Sequence, residues 1–219
     1  MASVTVQPTN TDVSIANAIA SHTGPRIEKI AKATTWGADE HILSALAIGW
    51  WIYARNKSAE QRRISNHVLL TTVVSSALPH LLKTVFDQER PDRLTVRGHW
   101  RGVPFSGKRL DAFPSGHAVH VGALVSVASV LPGKPRAVIC GVGATLVLTR
   151  IILLAHWTSD VVAGLCVGAL VERMLRPITG YGSRSRPPNN PMKSIDRKID
   201  RSIGRRPTDE RTRAAKSTA

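Results

Sequence analysis

The chain has 219 residues, a formal net charge of +15 and 42% hydrophobic residues. That is long enough for one domain with a real core, and the positive balance points to nucleic acid, anionic lipid or phosphorylated substrates rather than cationic partners. Cys140 and Cys166 both lie in apolar runs with no His or Cys at ligand spacing, which excludes a readable zinc motif or disulfide framework.

Residues 1–13 are polar and rich in Thr and Pro, the composition of a disordered N-terminus. They show neither a basic n-region nor an apolar h-region, so no cleaved signal peptide is expected. From Val13 to about Thr34, Ile15, Ala18, Ile19, Ile27, Ile30 and Ala31 recur at helical spacing, interrupted at Gly24-Pro25. Arg26, Glu28, Lys29 and Lys32 make this stretch too polar to span a bilayer, and an amphipathic helix on a membrane surface fits it.

Apolar segments follow at about 38–54, 64–86, 114–132, 137–155 and 158–174. None is a perfect 20-residue block of the kind that crosses ~30 Å of hydrocarbon, but each approaches it. The first ends in Trp50-Trp51-x-Tyr53, aromatics suited to a membrane interface, and the last contains Gly164-x-x-x-Gly168, a pattern that lets helices approach closely. The expected fold is all-α: a polytopic transmembrane bundle of about five spans with an N-terminal amphipathic surface helix. Residues 14–176 form its membrane-embedded domain, and 177–219 a basic, disordered tail.

Alternating the connections assigns loop 55–63, the turn bearing Lys134 and Arg136, and the basic tail to one side. The positive-inside bias makes that side cytoplasmic, although the opposite loop 87–113 is also basic. The chain is then a multi-pass protein of the plasma (inner) membrane. The tail fits attraction to anionic lipid headgroups rather than nucleic acid, because no aromatic follows Tyr181 to stack bases.

Three polar constellations fall on the extracytoplasmic face. Lys83 and Arg90 are seven apart, within about 20° of one helix face if helical, and Pro91 marks the exit. Two such cations clamp a phosphate, or simply snorkel to a membrane boundary. Pro114-Ser115-Gly116-His117 opens a span with a hydroxyl, unobstructed N–H groups and a helix N-terminus that favours an anion, and His117 can give a proton to a leaving alkoxide. His117-x-x-His120 has no carboxylate or Cys beside it, so no metal is assigned. His156 and Asp160, four apart, would share a face if helical, the carboxylate then fixing the imidazole tautomer. Arg150 and His156 are six apart, about 240° around an unbroken helix, so their cooperation requires a break near 152–157. His80, three before Lys83, is either a supporting residue for the clamp or an ordinary packed histidine. Asp87 and Glu89 should face solvent or pair with loop arginines, and the basic loop 92–112 either gathers a headgroup or is simply solvated.

Taken together, Lys83-x6-Arg90-Pro91, Pro114-Ser115-Gly116-His117 and Thr149-Arg150-x5-His156-x3-Asp160 resemble the signature of the type 2 phosphatidic acid phosphatases. That family is related to vanadium-dependent haloperoxidases and acid phosphatases. The departure is Thr149, where the family pattern has Ser; the hydroxyl is kept. The resemblance spans roughly residues 78–170 and implies a helical membrane enzyme removing phosphate from a lipid without metal or other cofactor. It implies His156 as nucleophile forming a phosphohistidine, Asp160 as its orienter and His117 as proton donor. Lys83, Arg90, Ser115, Gly116 and Arg150 would hold the phosphoryl oxygens. The substrate partner is thus a membrane lipid phosphate or pyrophosphate. The alternatives are a lipid phosphotransferase using the same site and a non-catalytic protein that binds anionic lipid.

Overall fold

The computed structural model describes residues 4–91 and 110–182. Helices α1 (Asn10–His22) and α2 (Pro25–Thr34) lead through a 3-10 turn, Thr35–Ala38, into the five helices of the main bundle. These are α3 (Glu40–Ala54), α4 (Ala59–Leu82), α5 (Gly116–Ala128), α6 (Gly133–Ile152) and α7 (Thr158–Thr179). A two-residue parallel pairing joins β1 (Val4–Thr5) to β2 (Phe86–Asp87).

The five long helices fall where the apolar segments predicted them. Among the described residues only α6 is both long and apolar enough to cross a membrane by itself. The others are shorter or interrupted by polar residues such as Ser65, His67, Thr71 and Ser75, all buried inside the bundle. The outward faces of the five helices carry apolar side chains, among them Ile42, Leu46, Val73, Val142, Leu148, Val162 and Leu170.

The N-terminus departs from expectation. Residues 4–13 are not disordered: Val4 N–H donates to the Val85 carbonyl at 2.8 Å and Val6 N–H to that of Asp87 at 2.9 Å. Thr9 and Asp12 then close a capping box on α1, Thr9 Oγ1 accepting from Asp12 N at 3.1 Å while Asp12 Oδ2 accepts from Thr9 N at 3.0 Å. The break at Gly24-Pro25 is present, with Pro25 opening α2, where its missing N–H costs nothing. The apolar side of α1 is used within the protein, since Val13, Ala16, Ile19 and Ala20 pack with Leu154, Trp157 and Ala112. The C-terminal boundary also moves: α7 runs past 177 to Thr179 and stops on Gly180 at φ +68°, the left-handed cap that glycine adopts without strain. The remainder of the tail, 183–219, lies outside the described residues.

Gly164 and Gly168 face α5, as their spacing suggested. A Cβ at Gly164 would come within 2.7 Å of the Ser115 carbonyl oxygen, and one at Gly168 would overlap that of Val119. Gly122 reciprocates on α5, where a Cβ would collide with the backbone at Leu165. Glycine on both helices therefore sets the separation of α5 from α7. At the far end of the bundle a buried polar ring ties the same helices to α4. His67 Nε2 lies 3.0 Å from Glu172 Oε1, Arg176 Nε donates to that carboxylate at 2.8 Å, and Ser126 Oγ donates to its other oxygen.

Candidate active site

The antiparallel order of the long helices gathers the N-termini of α3, α5 and α7 and the C-termini of α4 and α6 at one end. A cleft of about 320 Å³ opens there. Lys83, Arg90, Gly116, His117, Arg150 and His156 all line it, so segments far apart in sequence converge as the motifs required.

The predicted break between Arg150 and His156 is present. Helix α6 ends at Ile152, Leu153 N–H and Ala155 N–H bond back to Thr149 and Arg150, and Leu154 turns the chain at φ +52°. A left-handed leucine costs roughly 1–2 kcal/mol. Burial of its side chain against Ala16 and Trp157 offsets that, since sequestering a leucine contributes about 1.5–3 kcal/mol. Arg150 thus ends one helix and His156 precedes the next, and both reach the cleft.

The same break alters the expected partnership of His156 with Asp160. Because α7 starts at Thr158, His156 is outside the helix and the i, i+4 face argument does not apply. His156 Nδ1 donates to the Ala112 carbonyl at 2.7 Å, and the nearest Asp160 oxygen is 4.0 Å from it. A carbonyl only accepts, so Nδ1 carries the proton and Nε2 keeps its lone pair. Asp160 instead accepts from Trp157 N at 2.8 Å, and from the Gln88 amide once its nitrogen faces the carboxylate. It steadies the loop that presents His156 rather than the ring itself.

Burial first, then the cations Arg150, Arg90 and Lys83, push the His156 imidazole well below its ordinary range. Both causes favour the neutral imidazole, beside the three cations that line the cleft.

Lys83 and Arg90 are likewise not joined by one helix, since α4 ends at Leu82 and the chain turns into β2 between them. Asp111 brings them together: Arg90 Nη2 lies 2.7 Å and Arg90 Nε 2.9 Å from its Oδ1, and Lys83 Nζ 3.7 Å from its Oδ2. Arg150 Nη1 donates to Thr35 Oγ1 at 3.0 Å, while its buried Nε has no protein partner among the described residues. One predicted phosphate ligand, Ser115, lies off the cleft, and Thr149, the departure from the family pattern, bonds within its own helix. Ser115 is fully buried off the cleft and caps α5 through Ala118 N at 3.5 Å, leaving Gly116 at the lining. The Thr149 hydroxyl donates to Leu146 O on its own helix at 2.6 Å, which a serine could do equally well.

His80 neither packs nor supports the clamp directly. It is exposed and reaches Glu40 Oε2 at 3.2 Å on the cleft wall. His120 lines the cleft with its Nε2 3.4 Å from Ser76 Oγ. Loop residues 92–109 lie outside the described residues.

Several contributors were not legible in the sequence: Asp111, the Ala112 carbonyl, Gln88, Thr35 and Asp12. Asp12 accepts from Ser159 N at 2.9 Å and Ser159 Oγ at 2.8 Å, tying α1 to the first turn of α7. Burial alone would raise the Asp12 carboxyl, but these donors and those of Thr9 outweigh it and hold the group below its usual range. Asp111 had one available signal, the single acid from Arg93 to Phe113, three residues before Pro114-Ser115-Gly116-His117.

Known proteins resemble this chain in sequence and in fold. The chain is 36% identical over 107 residues to the lipid A 1-phosphatase of Rhizobium johnstonii, covering 48% of this chain and 44% of that protein. It is 28% identical over 142 residues to the decaprenylphosphoryl-5-phosphoribose phosphatase of Mycobacterium tuberculosis, 64% of this chain and 76% of the other. The match thus spans under half the length of the lipid A relative. The crystal structure of Aquifex aeolicus LpxE superimposes with TM-score 0.58 at 16% identity, covering 78% of this chain and 98% of that one. The Bacillus subtilis transmembrane PAP2 type phosphatidylglycerolphosphate phosphatase gives 0.55 at 20% identity, over 81% and 90%. The model of the PAP2 superfamily matches residues 65–182, which contain every cation and histidine that the three motifs bring to the cleft, and the chain belongs to that superfamily.

Proposed function

We propose that the protein is a membrane-embedded phosphatase that removes phosphate from a lipid through a phosphohistidine on His156. The observation that carries this reading is the placement of His156: Nδ1 held on the Ala112 carbonyl, the lone pair on Nε2, and the ring lining a cleft with Lys83, Arg90 and Arg150. Binding an anion needs only the cations; a neutral, tautomer-fixed histidine among them suits attack on phosphorus.

In this mechanism Nε2 forms a bond to phosphorus as the bond to the lipid oxygen breaks, and His117 gives that oxygen its proton. Lys83, Arg90, Arg150 and the Gly116 N–H region carry the charge that grows on the phosphoryl oxygens. Water then attacks the phosphohistidine, releasing phosphate and restoring the imidazole. The reading involves no metal or other cofactor.

Membrane placement follows from charge and apolarity. The end opposite the cleft carries Arg55, Lys57, Arg62, Arg63, Lys134 and Arg136. There Arg55 stacks on Trp51 and Lys57 on Tyr53, at 4.0 and 4.5 Å from the ring centroids. Basic and aromatic residues together suit a cytoplasmic interface, with about five spans above it and the cleft on the extracytoplasmic side of the plasma membrane. The exposed Ile27, Ile30 and Trp36 would rest at that upper surface, and the basic tail would meet anionic headgroups below.

The test is phosphate release by purified protein from lipid phosphates and diphosphates, with and without EDTA. Turnover that survives EDTA, with an acid-labile phosphoenzyme absent from His156→Ala, is expected; turnover abolished by EDTA, or retained by His156→Ala, would overturn the mechanism. Transfer of the phosphoryl group to an added lipid alcohol would identify the phosphotransferase alternative.

A further inference from the structure

Two arginines line the cleft, and they are held in opposite ways. Arg90 is fixed by charge, with Asp111 Oδ1 2.7 Å from its Nη2 and 2.9 Å from its Nε. Arg150 is 4% exposed, and its hydrogen-bond partner among the described residues is a neutral one, the Thr35 hydroxyl, which accepts from Nη1 at 3.0 Å. Buried charges are ordinarily paired with an opposite charge. A hydroxyl orients the guanidinium without cancelling it, so its charge stays available to an anion in the cleft.

Thr35 is itself firmly placed. It is buried, and as the residue that closes α2 and opens the 3-10 turn it donates its N–H to Ala31 O. The turn is clamped on α6 to either side of Arg150. Ala31 packs with Leu153 and Ala155 just beyond that residue, and a Cβ at Gly37 would come within 2.9 Å of the Leu146 side chain one helical turn before it. The helix that carries Arg150 therefore also seats the hydroxyl that aims it. The Thr35 backbone lies within hydrogen-bonding reach of the His117 ring as well, so one residue stands between a cation and the proton donor. Thr35 precedes residue 65, where the superfamily match begins, and none of the three motifs includes it.

We propose that Thr35 is a positioning residue for phosphoryl transfer, its hydroxyl holding the Arg150 guanidinium toward the phosphoryl oxygens while leaving the charge unneutralised. This rests on the phosphatase reading and deepens it by adding the N-terminal turn to the machinery. Without the acceptor, a long side chain at a helix end has other rotamers open to it. A misaimed charge matters most where charge develops, in the transition state rather than in the bound substrate. The effect therefore belongs to kcat more than to KM.

The test compares purified wild type, Thr35→Ser, Thr35→Val and Thr35→Ala on p-nitrophenyl phosphate or didecanoyl phosphatidic acid, whichever the wild type turns over faster. Serine keeps the acceptor, valine replaces it at nearly constant volume, and alanine removes it together with its bulk. Val and Ala should each lower kcat about tenfold or more, the size of one hydrogen bond to a charged group, with KM changed less than about threefold. Ser should stay within about threefold of wild type on the same ground, because its hydroxyl still accepts. Vanadate, which mimics the five-coordinate transition state, should inhibit Val and Ala more weakly by a factor similar to the fall in kcat, while inhibition by inorganic phosphate barely changes. A Thr35→Val enzyme with wild-type kcat overturns the inference, as does a Thr35→Ser enzyme as slow as Val and Ala. So does a change confined to KM, or one that weakens vanadate and phosphate alike. If Val and Ala both lack a thermal unfolding transition, Thr35 is structural and the inference falls. Failure of the wild type on both substrates overturns the phosphatase reading itself and is thereby distinguished.

Discussion

At the scale of single residues, the cleft sets three cations around a buried histidine. Three cations and complete burial disfavour a proton on His156, so its folded-state pKa lies below the ordinary 6.5. The sign follows directly: as pH falls, the neutral ring persists past the point where free imidazole would protonate. The acid limb of kcat/KM on a soluble phosphate ester should therefore lie below pH 6.5, and Arg90→Ala, by removing one repelling charge, should move it upward. A limb that stays put or moves down would show that the cations do not act on His156. Asp111 supplies a second prediction. Its carboxylate holds Lys83 and Arg90 side by side, so Asp111→Ala should raise KM about tenfold, the value of one charge-assisted hydrogen bond, with less effect on kcat. That the cations and histidines of the three motifs would share one cleft was legible, because the motifs recur in the order a phosphate site calls for. Their immediate partners were not. Ala112 contributes a backbone carbonyl, which no side-chain pattern announces, and Asp160 was read as helical with His156 when the helix starts two residues later.

At the scale of elements, periodicity located the five long helices, and the angular mismatch of Arg150 with His156 located the break between α6 and α7. The spacing of Gly164 and Gly168 was likewise informative, because close approach is a backbone requirement that small residues reveal. Gly168→Val should push α5 away from α7 and destabilise the fold by about 3 kcal/mol, seen as a lower thermal midpoint together with loss of turnover. An unchanged midpoint would show that the two helices separate without cost. The N-terminal segment was misread for a physical reason. Its polar composition signals disorder only when the polar groups meet water, and here Thr9 and Asp12 spend theirs on the first turns of α1 and α7.

For the whole molecule, the prediction concerns sidedness. With native cysteines replaced, Lys57→Cys at the end opposite the cleft should resist membrane-impermeant maleimide applied outside intact cells and react after permeabilisation. Labelling from outside would invert the orientation and put the cleft in the cytoplasm. Hydropathy alone would have undercounted the helices. Buried polar side chains such as His67 and Glu172 lower the apolarity of α4 and α7, although they are paired inside the bundle. What composition averages together, the fold separates into an inner polar ring and an outer apolar face.

The tie between Asp12 and Ser159 spans 147 positions of sequence, and it sets an order of events during synthesis. Asp12 leaves the ribosome early, yet its partner emerges only after α3, α4, α5 and α6 have been made. Until then the N-terminal arm has nothing to dock against, and the loop bearing His156 lacks one of its walls. The site is therefore complete only when the last helix is in place. Anything fused ahead of Val4 that holds the arm away should delay maturation of the enzyme without touching a residue of the cleft.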